Sequence, residues 1–356
     1  MEEPDLDLTA LSEVTLALSD EESGRLRDRF LATAAGLAGS PLDREPVLAE
    51  IAVAGCALPD RLVRALHSLR ATGNQHGALL VENLPIDLDL PATPAGGDLP
   101  DWQAVPVATV GQLAVSSHLG DVIGFADEKC GRLVQDVVPV AGAEHQQENS
   151  GTAFLELHTE DGFHPYKPDF LSLLCLRGDR ERRSYTLVGA IAPILPRLSR
   201  TCVEALRQPL FRIRYSSSFA SSGSAGWSAP VAPLSGPAGD PELVADFYAM
   251  EPMTRGARWA LEELATVLPS RLAGTVLTPG TLLVVDNRAA VHGRTAFTAR
   301  YDGTDRWLRR CFAVADLRRS RASRLPGSRV CEPLPTIRQR DRRAEAPAPV
   351  PPGRSG

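Results

Sequence analysis

The sequence predicts a jelly-roll core of β-strands with added helices. Apolar runs with strand character follow one another from residue 78 onward, and long insertions separate them. Helix-forming stretches dominate the first 70 or so residues. Strands with helices at one flank indicate a β-rich core whose sheet is covered by helices on the outside.

The N-terminal flank, residues 1–77, is predicted to be helical. A capping-box pattern at 19–22 precedes apolar residues at helical spacing, and a second amphipathic stretch begins at 59–61. The apolar positions are Leu26, Phe30, Ala34 and Leu37 in the first stretch, and Leu62, Val63, Leu66 and Leu69 in the second.

The core is predicted to span residues 78–329. Residues 216–241, rich in Ser, Gly, Ala and Pro, form either a surface loop or a lid over a pocket. Residues 330–356 are predicted to be a disordered tail. Strands are predicted at 78–84, 132–140, 170–176, 185–191, 281–285 and 309–314, and helices at 107–119, 203–206 and 257–268.

Composition limits the class of protein. The 356 residues are 43% hydrophobic with a net charge of −6, which gives no general affinity for nucleic acid. No apolar run is long enough for a membrane span, and the acidic start does not resemble a signal peptide, so we expect a cytoplasmic protein. The six cysteines include no CxxC pair and read as reduced, mostly buried thiols. The oligomeric state stays open.

His158, Glu160 and His292 form the pattern that carries chemistry. On a strand, residues i and i+2 point to the same side, so His158 and Glu160 can reach one ion together. His292 comes from a remote segment, after a predicted turn, strand and bend at 279–288. Two imidazoles and a carboxylate on one face suit non-haem Fe(II) that must also bind a cosubstrate and dioxygen.

Arg306 and Arg310 follow the second histidine and offer fixed positive charge for an anionic cosubstrate. Arg310 and Phe312 share one face of a predicted strand, while Cys311 points the other way. Two other classes remain open. A zinc hydrolase would need a general base near the metal, commonly in an HExxH helix, which the sequence lacks. A jelly-roll binding protein without activity would not need all of these residues.

Three segments resemble one family. Residues 157–166 (LHTEDGFHPY), 286–294 (DNRAAVHGR) and 300–310 (RYDGTDRWLRR) are similar to the clavaminate synthase-like Fe(II)/2-oxoglutarate oxygenases. The similarity is strongest to the amino-acid hydroxylases of peptide-antibiotic pathways, such as the arginine and asparagine 3-hydroxylases. It extends loosely from Leu79 to Arg329.

The resemblance implies a distorted double-stranded β-helix, a form of jelly roll, that uses Fe(II), 2-oxoglutarate and O2. It implies His158, Glu160 and His292 as the iron ligands. It also implies Arg310 on the distal carboxylate of 2-oxoglutarate, with Arg306 close by and Thr186 as a hydroxyl donor. The alternatives are a structural salt bridge from Arg306 to Asp302 or Asp305, and an ordinary strand threonine at 186.

For an amino-acid substrate, the matching positions are Glu128, Asn149, Ser218 and Asp246. Glu128 would receive the α-amino group, unless it is a solvated loop residue. Arg288 would either hold the α-carboxylate or support the metal loop.

The chain departs from its arginine-specific relatives, which carry several acidic residues around the guanidinium group of the bound substrate. Ser216 and Tyr248 stand where two of those acids would be, and only Asp246 is kept. A neutral polar or modified side chain, or a lysine-like amine, therefore fits better than arginine. The expected reaction is hydroxylation of an unactivated C–H bond, with Cβ favoured. A carrier-tethered or peptide substrate, desaturation and cyclisation remain alternatives.

Overall fold

A computed structural model describes residues 7–99, 101–142, 151, 153–219 and 226–334. The helices are α1 (Asp20–Gly36), α2 (Glu45–Gly55), α3 (Asp60–Thr72), α4 (Pro106–Ser117), α5 (Arg200–Leu206) and α6 (Arg255–Val267). The strands are β1 (Thr15–Ala17), β2 (Ala78–Glu82), β3 (Asp121–Phe125), β4 (Val134–Val137), β5 (Leu155–His158), β6 (Phe170–Arg177), β7 (Tyr185–Ala190), β8 (Phe211–Ile213), β9 (Leu234–Ser235), β10 (Glu242–Leu243), β11 (Met250–Pro252), β12 (Ala273–Val276), β13 (Leu282–Asp286), β14 (Ala290–Arg294), β15 (Trp307–Val314) and β16 (Val330–Cys331).

Two sheets organise the molecule. The larger has the strand order β1-β2-β13-β6-β15-β3-β16, and β4 also pairs with β15. The smaller has the order β12-β7-β14-β5. The pairs β8–β11 and β9–β10 form two further small ladders. Most contacts between neighbouring strands in the two larger sheets are antiparallel, while β1–β2 and β3–β16 are parallel.

The central strands of the larger sheet are buried on both faces. In β15, Leu308 and Phe312 belong to one hydrophobic cluster, shared with residues of the smaller sheet, α5 and α6. Trp307 and Cys311 belong to a second cluster, shared with α1 to α4. The alternation follows from the period of two along a strand. It confirms the prediction that Phe312 and Cys311 face opposite sides.

The N-terminal helices cover the outer face of the larger sheet, as the sequence predicts. The capping box is present: the Ser19 side chain accepts a hydrogen bond from the Glu22 amide, and the Glu22 carboxylate accepts one from the Ser19 amide. The flank is not wholly helical, because β1 pairs in parallel with β2 and so extends the sheet.

Several element boundaries differ from the prediction. The strand predicted at 132–140 is limited to β4, and residues 330 and 331 of the predicted tail form β16, which pairs with β3. Strands β3, β12 and β14 of the two larger sheets were not predicted. Residues 220–225 of the insertion and 335–356 of the tail lie outside the described residues, and the lid stays a prediction. Within the described ranges, no helix is both long and apolar enough to cross a membrane.

Candidate active site

The two predicted histidine ligands lie opposite each other on neighbouring strands. His158 ends β5, His292 is the middle residue of β14, and the antiparallel ladder pairs them directly. Their ring centroids are 4.3 Å apart. Directly opposed residues of an antiparallel pair project to the same face, so both imidazoles enter one cavity.

Glu160 brings a carboxylate to the two imidazoles. The ligand atoms of the three residues all lie within 4.8 Å of one another, and Glu160 Oε2 is 3.2 Å from His292 Nε2. Glu160 Oε2 is buried and accepts no hydrogen bond from any described residue. A divalent metal would satisfy this oxygen, and a donor set of two imidazoles and one carboxylate with an open face suits Fe(II). The residues therefore fit the metal that the sequence predicts.

Glu160 does not lie on the strand, contrary to the prediction. Strand β5 ends at His158, and the chain turns through Asp161, whose φ is 48°. The turn is held by remote segments. The Thr159 amide donates to the carbonyl of Ala245 (2.6 Å), and the side chain of Asn287 bonds to the backbone of Glu160.

The protonation states suit metal binding. His158 Nδ1 is 2.7 Å from the carbonyl oxygen of Glu156, which assigns the proton to Nδ1 and leaves Nε2 for a metal. Burial lowers the pKa of His292, so its imidazole is neutral. Burial acts to raise the pKa of Glu160, but the charge of Arg310 and the contact with His292 outweigh it, and the pKa lies below its usual value. A neutral His292 and an ionised Glu160 can each bind a metal without first losing a proton.

A cavity of about 710 Å³ surrounds the triad. This volume is large enough for a small cosubstrate and an amino acid together. Charged side chains line it. The carboxylates are Glu128, Glu156, Glu160, Asp161 and Asp246, and the cations are Lys129, Arg214, Arg294, Arg306 and Arg310.

Arg306 and Thr186 meet in the wall of this cavity. An Arg306 Nη donates to the Thr186 hydroxyl (3.2 Å), and burial lowers the pKa of Arg306 to about 10. Neither Asp302 nor Asp305 makes an ion pair with Arg306, and no other described carboxylate does. The structural salt bridge considered from the sequence is therefore wrong. A buried guanidinium without a carboxylate is costly, so its position in the cavity indicates an anionic ligand.

Arg310 already has side-chain partners. Its Nε donates to Gln135 Oε1 (3.0 Å), one Nη donates to Glu160 Oε1 (2.8 Å), and the other forms an ion pair with Glu128. The expectation that Arg310 receives the distal carboxylate of 2-oxoglutarate does not match this arrangement. Arg306 instead has the surroundings that were expected of Arg310, because its guanidinium is buried in the cavity wall, contacts Thr186 and has no carboxylate partner among the described residues.

The other predicted substrate residues divide into three groups. Glu128, Ser218 and Asp246 line the cavity, and Glu128 is 7% exposed, so it is not a solvated loop residue. Asn149 lies outside the described residues. Arg288 does not line the cavity. Its guanidinium pairs with Asp286 (3.2 Å) and stacks over Phe170 (4.8 Å to the ring centroid), so the structure does not bring it to the site and favours the role in the metal loop.

Sequence reasoning missed three residues of the site. Glu156 shares the cavity face of β5 with His158, and the spacing of two residues was the available signal. Gln135 is found only through the β4–β15 register, which places it opposite Arg310. Asn287 has no signal in the sequence beyond its position in the predicted bend.

Known proteins share this chain's sequence and fold. A family model described as taurine catabolism dioxygenase TauD, TfdA family, matches residues 255–312. The L-asparagine oxygenase of Streptomyces coelicolor is 43% identical over 314 residues, which cover 88% of this chain and 92% of the relative. Clavaminate synthase 2 of Streptomyces clavuligerus is 34% identical, over 82% of this chain and 90% of the relative.

A solved structure matches closely as well. The crystal structure of an asparagine oxygenase in complex with Fe(II), 2S,3S-3-hydroxyasparagine and succinate superimposes with a TM-score of 0.84 at 38% identity. The match covers 90% of this chain and 99% of that chain. The likeness therefore extends over most of the fold and is not confined to a motif.

Proposed function

Because this chain belongs to the clavaminate synthase-like Fe(II)- and 2-oxoglutarate-dependent oxygenases, we propose that it hydroxylates Cβ of an L-amino acid or amino-acid derivative. One observation carries the proposal. Three metal donors, a buried arginine without a carboxylate partner and a Glu–Arg pair line a single cavity. These are the groups needed for a metal, a diacid and an amino acid.

His158, Glu160 and His292 would hold Fe(II). The supporting geometry is the direct pairing of the two histidines across β5 and β14, together with the unsatisfied Glu160 Oε2. When bound, Fe(II) with 2-oxoglutarate and O2 supplies the oxidising power to hydroxylate an unactivated C–H bond, with release of succinate and carbon dioxide.

Arg306 and Thr186 would hold the distal carboxylate of 2-oxoglutarate. The planar guanidinium can pair with a carboxylate through two parallel hydrogen bonds, and burial strengthens this pairing. Thr186 holds the guanidinium and can donate its own hydroxyl proton to the same anion. This assignment gives Arg306 the role that the sequence analysis expected of Arg310.

Arg310 and Glu128 would bind the two charges of the amino-acid backbone. The guanidinium offers its charge to the α-carboxylate, and Glu128 offers its carboxylate to the α-ammonium. In the described structure the two side chains pair with each other. A zwitterion can replace this pair with two charge-assisted contacts, one to each partner.

Arg310 and Glu128 would contribute to the reaction by positioning the substrate. Arg310 contacts both Glu128 and Glu160, so the backbone of a bound amino acid would lie beside the metal ligands, and Cβ is the first carbon beyond it. Holding this carbon in a fixed place and excluding water are the protein's contributions to rate and selectivity. We also infer that the two facing sheets form the distorted double-stranded β-helix expected from the resemblance, and that the partner is a small molecule.

The test uses spectroscopy and product analysis. Under anaerobic conditions, Fe(II) and 2-oxoglutarate should give a weak visible charge-transfer band, and His158→Ala should remove it. With O2 and a panel of free L-amino acids, one or more should cause succinate release and gain one oxygen atom by mass spectrometry. A band without succinate for any amino acid would exclude a free substrate. No band at all would overturn the proposed function.

A further inference from the structure

Glu128 lies on a short loop that is covered by a remote part of the chain. The Glu128 loop, residues 126–132, follows β3 and brings the Glu128 carboxylate to Arg310. The β16 segment, residues 328–334, packs along this loop, and its strand β16 pairs with β3 at the edge of the larger sheet. The sequence predicts a tail from residue 330 onward and gives no sign of this contact.

Two hydrogen bonds from the β16 segment hold the residues just before Glu128. The Ala126 amide donates to the carbonyl oxygen of Cys331 (2.9 Å), and the Leu334 amide donates to Asp127 Oδ2 (2.8 Å). Cys331 is buried, so its carbonyl is a fixed point of the core. The β16 segment therefore sets the direction in which the chain approaches Glu128.

The residues just after Glu128 have an unusual backbone. Lys129, Cys130 and Gly131 have φ values of 47°, 55° and 77°. Residues other than glycine rarely adopt this conformation, and a run of three persists only where the surrounding structure determines it. The β16 segment provides such a contact, because a Cβ at Gly131 would lie 2.8 Å from Val330 Cγ1. It therefore also limits the path by which the chain leaves Glu128.

Two other contacts hold the far end of the loop. Lys129 Nζ donates to the carbonyl oxygen of Gly97 (3.2 Å), and the Arg132 guanidinium donates to that of Leu99. Neither bond involves residues 126–128. The β16 segment, in contrast, contacts the loop on both sides of Glu128.

We propose that the β16 segment positions Glu128 for the α-ammonium group of the substrate, and that Asp127 is the positioning residue that joins the segment to the loop. The inference rests on the proposed function, which gives Glu128 its role. A charge-assisted hydrogen bond depends on distance and direction. A shift of the loop by about 1 Å would therefore weaken the contact with the ammonium group and leave the metal ligands in place.

The experiment removes the acceptor at Asp127 and leaves the rest of the chain intact. Asp127→Ala loses the bond to the Leu334 amide, whereas Asp127→Asn keeps a carbonyl acceptor of the same shape. Calorimetry on the anaerobic protein with Fe(II) and 2-oxoglutarate measures the affinity for L-asparagine and L-lysine. Each is compared with the compound that lacks its α-amino group, succinamate and 6-aminohexanoate.

In the wild type, at least one of the two amino acids should bind about tenfold or more tightly than its partner compound, because Glu128 receives the α-ammonium group. Asp127→Ala should lose most of this preference, and Asp127→Asn should retain it. The charge-transfer band of Fe(II) and 2-oxoglutarate should be the same in all three proteins. Hydrogen exchange of the amides in residues 126–131, which needs no substrate, should be about tenfold faster in Asp127→Ala only.

Gly131→Ala tests the contact on the other side of Glu128. It should also reduce the preference for the α-amino group, and Val330→Ala in the same chain should restore part of it by removing the methyl group that the new Cβ meets. The matched control is Gly39→Ala, which has a similar φ of 74° and, beyond its chain neighbours, no atom within 4 Å of the added Cβ. It should leave the preference unchanged. Thermal melting shows whether each variant is folded.

The outcomes separate the two proposals. A preference that survives in Asp127→Ala, or that Asp127→Asn loses as fully as Asp127→Ala does, would overturn this inference and leave the proposed function standing. A wild type without any preference for the α-amino group would overturn the role of Glu128 and this inference with it. The absence of the charge-transfer band would overturn the proposed function itself.

Discussion

The side chain of Asn287 holds the backbone of Glu160 from both sides. The Glu160 amide donates to Asn287 Oδ1 (2.8 Å), and Asn287 Nδ2 donates to the carbonyl oxygens of Glu160 (3.0 Å) and Pro168 (2.8 Å). His158 and His292 are positioned by a β-ladder, but Glu160 lies beyond the end of β5. Asn287 therefore positions Glu160, the one residue of the three that the β-ladder does not hold in place.

Asn287→Ala should weaken metal binding by about 10- to 100-fold, the effect typical of residues that orient a metal ligand. The measurement is a titration of the metal-free protein with Co(II), followed by its visible absorption. The control is Asn74→Ala, whose side chain also holds a turn through the amide of His76 and the carbonyl of Ala78, away from the cavity. Equal metal affinity in the two variants would show that Asn287 has no more than a structural role.

Arg306 and Arg310 should affect different Michaelis constants. Arg306→Lys should raise the KM for 2-oxoglutarate by about tenfold or more, because a lysine cannot form the two parallel hydrogen bonds of a guanidinium. Arg310→Lys should instead raise the KM for the amino acid. Steady-state succinate formation with each compound varied in turn measures both. A larger increase of the KM for 2-oxoglutarate in Arg310→Lys than in Arg306→Lys would support the assignment expected from sequence, with Arg310 on the cosubstrate.

The sequence predicted that His158, Glu160 and His292 come together, because the His-x-Glu spacing is a local property, and the structure brings the three side chains to one cavity. It could not assign Arg306 and Arg310, because their partners come from other segments: Thr186 from β7, Gln135 from β4 and Glu128 from the loop after β3. The turn that carries Glu160 was missed for the same reason, since contacts from Ala245 and Asn287 hold it. Local periodicity predicts which face a residue occupies, whereas charge partners depend on the register between strands.

Gly293 allows the close approach of the two strands that carry the histidines. A Cβ at this position would lie 2.6 Å from the carbonyl oxygen of Leu155 and 3.1 Å from Leu157 Cδ2. The β5–β14 register shifts at this point, between His292 and Arg294. A side chain here would push β5 away from β14 and separate His158 from His292.

Gly293→Ala should therefore lower the free energy of unfolding by about 1–3 kcal/mol and weaken Co(II) binding. Gly24→Ala, in α1, is the matched control, because no atom beyond its own stretch of helix backbone lies within 4 Å of its added Cβ. It should raise the free energy of unfolding by up to about 1 kcal/mol without changing metal affinity. Unchanged Co(II) affinity in Gly293→Ala would contradict the role given to this close approach.

His164 should make the fold sensitive to acid. Its ring is buried against Phe125 (4.4 Å between ring centroids), and Nδ1 accepts a hydrogen bond from the Tyr166 amide (3.0 Å). Burial lowers the pKa of His164 from 6.5 to about 3. Between these values the unfolded chain binds the proton and the folded chain does not. The contribution of His164 to stability is therefore fully present above about pH 6.5 and is lost as the pH falls, at up to about 1.4 kcal/mol per pH unit.

His164→Asn keeps an acceptor for the Tyr166 amide but cannot be protonated in this range. The free energy of unfolding, measured by urea denaturation between pH 4 and 6, should depend less steeply on pH in this variant than in the wild type. His67→Asn, at an exposed position of α3, should retain the wild-type slope. Carboxylates contribute to the slope in all three proteins, so the difference between variants isolates His164. Equal slopes in the wild type and His164→Asn would mean that the folded protein protonates this ring as readily as the unfolded chain does.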